Sequence, residues 1–550
     1  MSIRFAPPLT IALLSLVTLS MPACSGDDAS SYGESAEGSA TDGSGASGYG
    51  EVTSGAGSDG SAGSGGTSGT SGASGGDSAS AGETGASGDS TDGGTTGDTS
   101  ATTGDTTGDT TTGEPACDAE TPVILYLSPD DSNSMSSPVQ VRESILSEWA
   151  SLYGVPIRAW EFFNYYTFGY PAAPAGQVVV TPELLQVEGA PEGEYVLQIG
   201  VSSPALDNAA RPPMNITLVL DESGSMSGTP MDMEKESCRA IAASLKAGDV
   251  VSMVGWDTQN AVKLAGYKVA GPNDPNLLAK IEGLEAGGGT DLHGGLVAGY
   301  ELAQQVYDPT RINRIVLISD GGANAGITDI DTIAMAAGDN NGDGIYMVGV
   351  GVGEAGYNDA LMDSVTDAGK GASVFIPNKE EAWKVFGDDF VNTMAVAARD
   401  VQVRLDLPPG FEIVKFSGEE YSADPEEVEP QHLAPNDAMV FHQTIATCAP
   451  QLVSDETLVT VTARYKDAVT FEQKEVSAQV SFGELLGEAS PLVRKGKAVF
   501  EYTEALKATR DNAVDAKAQV DAAIGFVDVA LAANPGDGDL AEIKSILQAL

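Results

Sequence analysis

From residue 215 to residue 398, short apolar runs alternate with segments in which apolar residues recur every three or four positions. Runs of the first kind are typical of buried strands, and segments of the second kind are typical of amphipathic helices. The predicted strands are residues 216–220, 250–256, 314–319, 345–352 and 372–376, and the predicted helices are residues 231–245, 276–284, 292–307, 359–368 and 380–398. This alternation predicts an α/β fold with a doubly wound, mostly parallel sheet covered by helices on both faces.

The regions on either side of this block follow other patterns. Five strands, several of them alternating, are predicted after Asp400, at residues 401–407, 411–416, 438–446, 458–465 and 475–482. They predict a β-rich, sandwich-like accessory region. Before Arg211 we predict strands at 122–127, 177–180 and 195–202 and a helix at 141–153. If these earlier strands join the later ones, the α/β block is an insertion.

The last 66 residues, 485–550, are rich in alanine and predict helices that are interrupted at residues 534–536. They either pack on the rest of the chain or bind a partner, and packing is the expectation. The resulting division of the chain is a signal segment at 1–24, a linker at 25–116, an N-terminal accessory region at 117–210, the α/β domain at 211–398, the β-rich domain at 399–484 and the helical region at 485–550.

The first 24 residues have the form of an export signal. Arg4 precedes an apolar run at residues 11–21, which is too short to span a bilayer stably. Residues 20–24 resemble a bacterial lipobox, with Met21 and Pro22 departing from the usual pattern. The resemblance implies lipidation at Cys24 and a lipid anchor in the cell envelope, at the outer membrane or cell surface. The alternative is ordinary cleavage and free secretion.

The linker and the overall charge limit the classes of partner. Residues 25–116 contain no Lys or Arg and only one large aliphatic residue, Val52, so they cannot bury enough apolar surface to fold. We expect a flexible tether. The formal net charge of −51 argues against binding of nucleic acid or of anionic lipid through a basic face.

Four cysteines are present. Cys24 belongs to the lipobox, and Cys238 lies in an amphipathic helical pattern that predicts a buried thiol. Cys117 and Cys448 flank folded segments and could pair in an oxidising compartment, although the sequence does not establish the geometry. No CxxC motif occurs and there are only three histidines, which argues against a zinc site of the Cys/His type.

Oxygen-bearing side chains recur where predicted strands end. Asp221, Ser223 and Ser225 form a D-x-S-x-S motif directly after a buried strand, Thr290 follows three glycines before a helix, and Asp320 ends another strand. Ligands gather at the carboxyl ends of strands in doubly wound sheets. Hydroxyl and carboxylate oxygens suit a hard cation such as Mg²⁺. The alternative for the first motif alone is a helix cap.

The five residues resemble the metal-ion-dependent adhesion site of von Willebrand factor type A (VWA) domains. The resemblance implies that Ser223 and Ser225 bind the metal directly and Thr290 directly or through water. It implies that Asp221 and Asp320 act largely through water, and that a partner's acidic side chain completes the shell. The expected metal is Mg²⁺, or else Mn²⁺ or Ca²⁺. Residues 160–166 and 356–362 and the helical tail resemble a family of bacterial VWA lipoproteins, which implies an envelope protein.

Three other motifs suggest different chemistry, but each lacks a residue that this chemistry requires. Residues 351–356 match G-x-G-x-x-G, but no acidic residue ends the next strand to bind a ribose, so no nucleotide is expected. Residues 339–344 resemble the start of a calcium loop, but its twelfth position is Val350 rather than Glu. In residues 224–228 Met226 stands where a nucleophile elbow needs serine. We therefore expect no enzyme.

The leading hypothesis is a cell-envelope adhesion protein that engages a protein or acidic ligand through a divalent cation. The alternative is a structural scaffold of the envelope whose metal only stabilises the loops. Exposure of the Asp221 cluster to solvent distinguishes them, because a buried site favours the structural role.

Overall fold

The computed structural model describes residues 117–129, 133–146, 151–322, 327, 344–353, 357–487 and 490–550. The predicted signal, lipidation site and linker at residues 1–116 lie outside this part of the chain, as does most of the calcium-like loop at 339–344. All of the described residues belong to one compact unit, Gly108–Leu550.

A six-stranded sheet forms the centre of the α/β block, in the order β6-β5-β4-β7-β8-β9. Its strands are β4 (Met214–Asp221), β5 (Val250–Trp256), β6 (Asn260–Lys268), β7 (Ile312–Ser319), β8 (Ile345–Val352) and β9 (Ala372–Ile376). All neighbours are parallel except β5 and β6. The predicted doubly wound, mostly parallel sheet is confirmed, with an antiparallel edge strand that was not predicted.

Helices cover both faces of this sheet, because alternate residues of its strands point to opposite sides. Leu218 and Leu220 belong to one apolar core and Val219 to another. The flanking helices are α3 (Thr229–Ser244), α4 (Pro275–Glu282), α5 (Leu292–Gln305), α6 (Asp359–Ala368), α7 (Lys379–Trp383) and α8 (Phe390–Met394).

The single helix predicted at residues 380–398 is wrong. A π-helical turn at Lys384–Asp388 separates α7 from α8, and a strand already begins at Ala398. The Met394 carbonyl accepts a hydrogen bond from Nε of Arg314, and Ala397 N–H donates to the Leu433 carbonyl. Tertiary hydrogen bonds thus replace those of the next helical turn.

The remaining strands form two antiparallel sheets that enclose a shared core. One sheet has the order β12-β1-β10-β15-β16 with β13 also paired to β10, and the other has the order β11-β14-β3-β2. The strands are β1 (Val123–Ser128), β2 (Val179–Leu185), β3 (Glu194–Ser202), β10 (Ala398–Leu407), β11 (Phe411–Phe416), β12 (Glu420–Ser422), β13 (Gln431–Leu433), β14 (Ala438–Thr447), β15 (Leu458–Asp467) and β16 (Gln473–Ser481). The strands before Arg211 do join those after Asp400, so the α/β block is inserted into the sandwich.

Two elements before the insertion differ from the predictions. Helix α1 spans Ser136–Leu146 instead of 141–153, and a turn with Gly154 at φ +76° follows at residues 153–154. Pro138 stands in its first turn, where proline is tolerated. Strand β2 extends beyond residue 180 through Pro182, which its position at the sheet edge permits.

The alanine-rich tail packs, as expected, on the rest of the chain, and it contacts residues 160–166 of the N-terminal region. It forms α9 (Phe482–Gly487), α10 (Pro491–Arg510), α11 (Ala516–Ala533) and α12 (Gly538–Ala549). Helix α2 (Ala159–Tyr165) places Phe162 and Phe163 in a core shared with α10, α11 and α12, whereas α9 packs against the core of the sandwich. The Phe162 ring meets the Tyr502 ring edge-on, with centroids 5.5 Å apart.

The structure joins Cys117 and Cys448 in a disulfide with Cα atoms 5.7 Å apart, and Cys238 is a buried free thiol. Within the described ranges, no helix has both the length and the apolar character needed to cross a membrane.

Candidate metal centre

The five predicted site residues lie at the carboxyl edge of the central sheet. Asp221 is the last residue of β4, and Asp320 directly follows β7, its parallel neighbour. Ser223 and Ser225 belong to the turn after β4, and Thr290 belongs to the loop before α5. Because the two strands end side by side, their terminal residues and loops converge on one place.

The two serine hydroxyls of the first loop face each other. Ser223 Oγ and Ser225 Oγ are 3.0 Å apart, on either side of the start of a 3₁₀ turn at Gly224–Met226. Two ligands that share an edge of an octahedron around Mg²⁺ are separated by about 3.0 Å, since each metal–oxygen bond is about 2.1 Å. The hydroxyl pair therefore has the spacing of adjacent magnesium ligands.

Asp221 is held by hydrogen bonds to both of its carboxylate oxygens. Oδ1 accepts from the Ser223 N–H at 2.9 Å, and Oδ2 accepts from the Ser319 hydroxyl at 2.6 Å. Burial raises the pKa of Asp221 to about 6, against the lowering effect of these hydrogen bonds, and the charge of Asp320 adds to the increase. A nearby cation would favour the ionised form.

Ser319 is a site residue that the sequence reasoning did not identify. Its hydroxyl donates to Asp221 and accepts from the Gly321 N–H at 3.0 Å, so it connects the ends of β4 and β7. The available signal was its position, immediately before Asp320 at the end of a buried strand.

Thr290, Asp320 and Ser225 surround Gly322. A Cβ atom built on Gly322 would lie 3.1 Å from Asp320 Oδ1, 3.7 Å from Thr290 Cγ2 and 3.9 Å from Ser225 Oγ. The Gly322 N–H also donates to Asp320 Oδ1 at 3.0 Å. All three contributing loops thus meet within a space of side-chain size.

Backbone hydrogen bonds fix the loops relative to each other. The Gly224 N–H donates to the Gly288 carbonyl at 3.2 Å, and the Gly287 N–H donates to the Glu222 carbonyl at 2.7 Å. Gly288 has φ +80°, a conformation that favours glycine. The glycine-rich loop is therefore attached directly to the serine loop.

The cluster opens to solvent on one side. Asp221, Ser223, Thr290 and Asp320 are buried, whereas Ser225 is exposed. Among the described residues, no group of three or more His, Cys, Asp and Glu side chains could hold a metal. The candidate centre consists of three hydroxyls and two carboxylates, which suits Mg²⁺ because it keeps several water ligands.

Gly351 and Gly353, the first two glycines of the G-x-G-x-x-G match, each have a structural role: close packing for Gly351 and backbone conformation for Gly353. A Cβ atom on Gly351 would lie 2.1 Å from the Tyr357 ring, so this glycine is needed for close approach of the ring. Gly353 has φ +99° at the end of β8.

Residues 216–323 match the family model of the von Willebrand factor type A domain, and this segment contains all five site residues. The chain is similar to two uncharacterized bacterial proteins. Escherichia coli YfbK is 26% identical over 265 residues (46% of this chain, 45% of YfbK), and Synechocystis sll0103 is 28% identical over 222 residues (40% and 51%). The chain thus spans about half the length of these curated relatives.

A human protein and a solved structure are also similar. Human inter-alpha-trypsin inhibitor heavy chain H2 is 28% identical over 185 residues, 32% of this chain and 20% of that protein. A von Willebrand factor type A structure from Catenulispora acidiphila covers 70% of this chain and 98% of its own, at 17% identity and a TM-score of 0.44.

Proposed function

Because residues 216–323 form a von Willebrand factor type A domain, we propose that this chain is a non-enzymatic binding protein that engages an acidic partner through a divalent cation. The observation that carries the proposal is the convergence of Asp221, Ser223, Ser225, Thr290 and Asp320 at one solvent-facing edge of the sheet. The cation supplies a Lewis-acidic position for a carboxylate oxygen.

Each residue has a separate part in this proposal. Ser223 and Ser225 hold the cation through hydroxyls already spaced as neighbouring ligands. Thr290 adds a third hydroxyl, while Asp221 and Asp320 orient water and balance charge. Ser319 fixes the Asp221 carboxylate, since metal ligands depend on neighbouring hydrogen bonds for their orientation.

Solvent exposure favours this role over the scaffold alternative. The exposed side chain of Ser225 and the exposed Gly224 beside it leave room for a ligand to approach. The turn at residues 257–259 flanks the same edge, because the Glu222 N–H donates to the Trp256 carbonyl. Gly321 and Gly322 also lie there, since they directly follow Asp320. Loops so placed can provide specificity.

The test uses Mn²⁺ as the metal and glutarate as the carboxylate probe. Water-proton relaxation of the full chain with Mn²⁺ reports the waters on the bound ion. We expect enhanced relaxation on binding of Mn²⁺ and a saturable decrease when glutarate displaces a water. Ser223→Ala should abolish the enhancement, since it removes one direct ligand.

Ser227→Ala is the matched control. Ser227 lies in the same turn and is exposed, and among the described residues its hydroxyl donates only to the Gly224 carbonyl. It should behave as wild type. Enhanced relaxation that glutarate leaves unchanged would refute the binding role and support the scaffold role. If Ser223→Ala and Ser227→Ala lost the relaxation enhancement equally, the loss would come from damage to the turn and not from removal of a metal ligand.

We further propose that the chain is exported and anchored through Cys24. The support is the signal-like pattern and lipobox resemblance of residues 1–24. Labelled palmitate supplied to the producing bacterium should enter the wild-type protein but not Cys24→Ser. Equal labelling of both would contradict the anchor.

A further inference from the structure

A small cavity lies where the α/β block meets the sandwich. It has a volume of about 40 Å³, and its lining includes Arg314, Lys370, Asn392 and His432. Arg314 is near the start of β7, whereas the candidate metal centre lies at the end of the same strand. The cavity is therefore on the opposite edge of the sheet and belongs to a separate site.

Arg314 carries a buried charge without an acidic partner. Its exposed fraction is 6%, and within the described part of the chain no carboxylate lies within 4.0 Å of its guanidinium. Nε donates to the Met394 carbonyl at 2.8 Å, and the guanidinium carbon lies 5.5 Å from the centre of the Tyr346 ring. Buried charges are ordinarily paired, so a positive charge in this position calls for an anion.

His432 presents an unsatisfied donor at the same cavity. Its Nδ1 accepts from the Asp400 N–H at 3.1 Å, which places the proton of the neutral ring on Nε2. Nε2 is buried and has no hydrogen-bond partner among the described residues. Burial lowers the pKa of His432 to about 3, with Asp400 opposing and Arg399, Arg314 and Lys370 adding to the decrease. The ring is therefore neutral at pH 7.

Two acidic side chains near the cavity, Asp400 and Asp437, do not pair with the charge of Arg314. Asp400, whose Oδ1 is 3.8 Å from Nδ1 of His432, is bound by Lys466 at 2.6 Å. Asp437 also lines the cavity, but its Oδ1 accepts from the Ala438 N–H at 2.8 Å, and among the described residues no Lys, Arg or His nitrogen lies within 4.0 Å of its carboxylate. Lys370 contributes a second positive charge, which pairs with the more exposed Glu429 at 3.2 Å.

We propose that this junction cavity binds a small oxyanion, a carboxylate or phosphate group, between Arg314, Lys370 and the Nε2–H of His432. A cavity needs about 10–15 Å³ to hold one water molecule, so a cavity of about 40 Å³ has room for about three. That volume suits a small carboxylate or phosphate group. The anion would supply the missing charge for Arg314 and the missing acceptor for His432. It would connect β7 and the β8–β9 side of the α/β block to strand β13 of the sandwich.

The experiment follows the histidine ring signals of the full chain by NMR. The sequence has only three histidines, so His432 can be observed beside His293 and His442. Acetate and phosphate are titrated separately at pH 7 against sodium chloride of equal ionic strength. We expect a saturable shift of the His432 signal alone, with a raised pKa of its ring; the relative affinities tell a carboxylate site from a phosphate site.

Two variants and one control connect the shift to the cavity. Arg314→Met should raise the Kd by at least about tenfold, since a hydrogen bond to a charged group is worth a factor of that order. Lys370→Gln, at a partly exposed position that should fold normally, should weaken binding several-fold. Arg404→Met is the matched control, because Arg404 pairs with Asp406 on β10 and does not line the cavity.

Two results would overturn the oxyanion site. No saturable shift of His432 with either oxyanion, or unchanged affinity in folded Arg314→Met and Lys370→Gln, would overturn the proposal. Ser223→Ala should bind the oxyanion normally, so failure of the metal site and failure of this site are distinguishable.

Discussion

The ion pair between Arg211 and Asp249 fixes the point where the chain enters the central sheet. Both side chains are fully buried, with Nη2 to Oδ2 at 2.6 Å and Nη1 to Oδ1 at 3.1 Å. Asp249 also accepts from the backbone N–H groups of Met214 and Lys246, each at 2.8 Å. Burial would raise the pKa of Asp249, but these hydrogen bonds hold it below its ordinary value.

Removing either partner leaves the other buried and unpaired. Loss of one member of a buried pair costs about 3–5 kcal/mol. Asp249→Ala also leaves two buried backbone N–H groups without their acceptor. If water partly replaces that acceptor, the two groups together cost about 1–3 kcal/mol more. We therefore expect Asp249→Ala to lower the free energy of unfolding by about 4–8 kcal/mol, a large share of the usual 5–15 kcal/mol.

The assay is a double-mutant cycle in urea. Arg211→Met and Asp249→Ala are made singly and together, and unfolding is followed by tryptophan fluorescence, to which the buried Trp256 in β5 contributes. The loss of unfolding free energy in the double variant should be smaller than the sum of the two single losses by at least about 1.5 kcal/mol. The half-exposed pair Arg404–Asp406 is the control, and Arg404→Met should cost at most about 1 kcal/mol. Additive single effects, or single effects below about 1 kcal/mol, would refute the reasoning.

Three further predictions concern stability. Replacing Cys117 and Cys448 by serine should lower the melting temperature through a loss of about 2–4 kcal/mol, and calorimetry should show that reductant no longer affects the variant. Burial lowers the pKa of His442, so its contribution to stability is complete above the unfolded pKa of about 6.5 and falls as the pH drops through that value. The free energy of unfolding falls by at most about 1.4 kcal/mol per pH unit from this group. In His442→Asn the midpoint of urea unfolding, measured from pH 7.5 to 5, should therefore depend less on pH than in wild type. Gly295→Ala should destabilise the protein by about 1–3 kcal/mol, because the new Cβ would lie 2.5 Å from an indole ring. Gly525 has open space around it, so Gly525→Ala should stabilise the protein by about 0.5–1 kcal/mol; thermal melts measure both effects. Equal effects of the two glycine changes would contradict the packing argument.

The α/β sheet could be predicted because its central strands are buried on both faces. All eight residues of β4 are buried, and five of them are apolar, including the consecutive residues 218–220. Strand β6 was missed because most of its nine residues are exposed, so it shows no such run. The break after Met394 was missed because it depends on Arg314, which is distant in the sequence.

The candidate metal centre could be located because its residues follow strand ends. Asp221 and Asp320 adjoin predicted strands, and parallel strands bring such ends together. The role of Ser319 could not be predicted, because it depends on the 2.6 Å contact that β4 and β7 create by pairing. The junction cavity was also beyond prediction, since it requires the sandwich strand with His432 to meet the α/β block.

Calorimetric titration of Mg²⁺ into the full chain tests the central claim most directly. Wild type and Ser227→Ala should bind one Mg²⁺ saturably at this site, and folded Ser223→Ala should lose that binding. No saturable binding by folded wild type, or undiminished binding by Ser223→Ala, would contradict a metal centre at the end of β4.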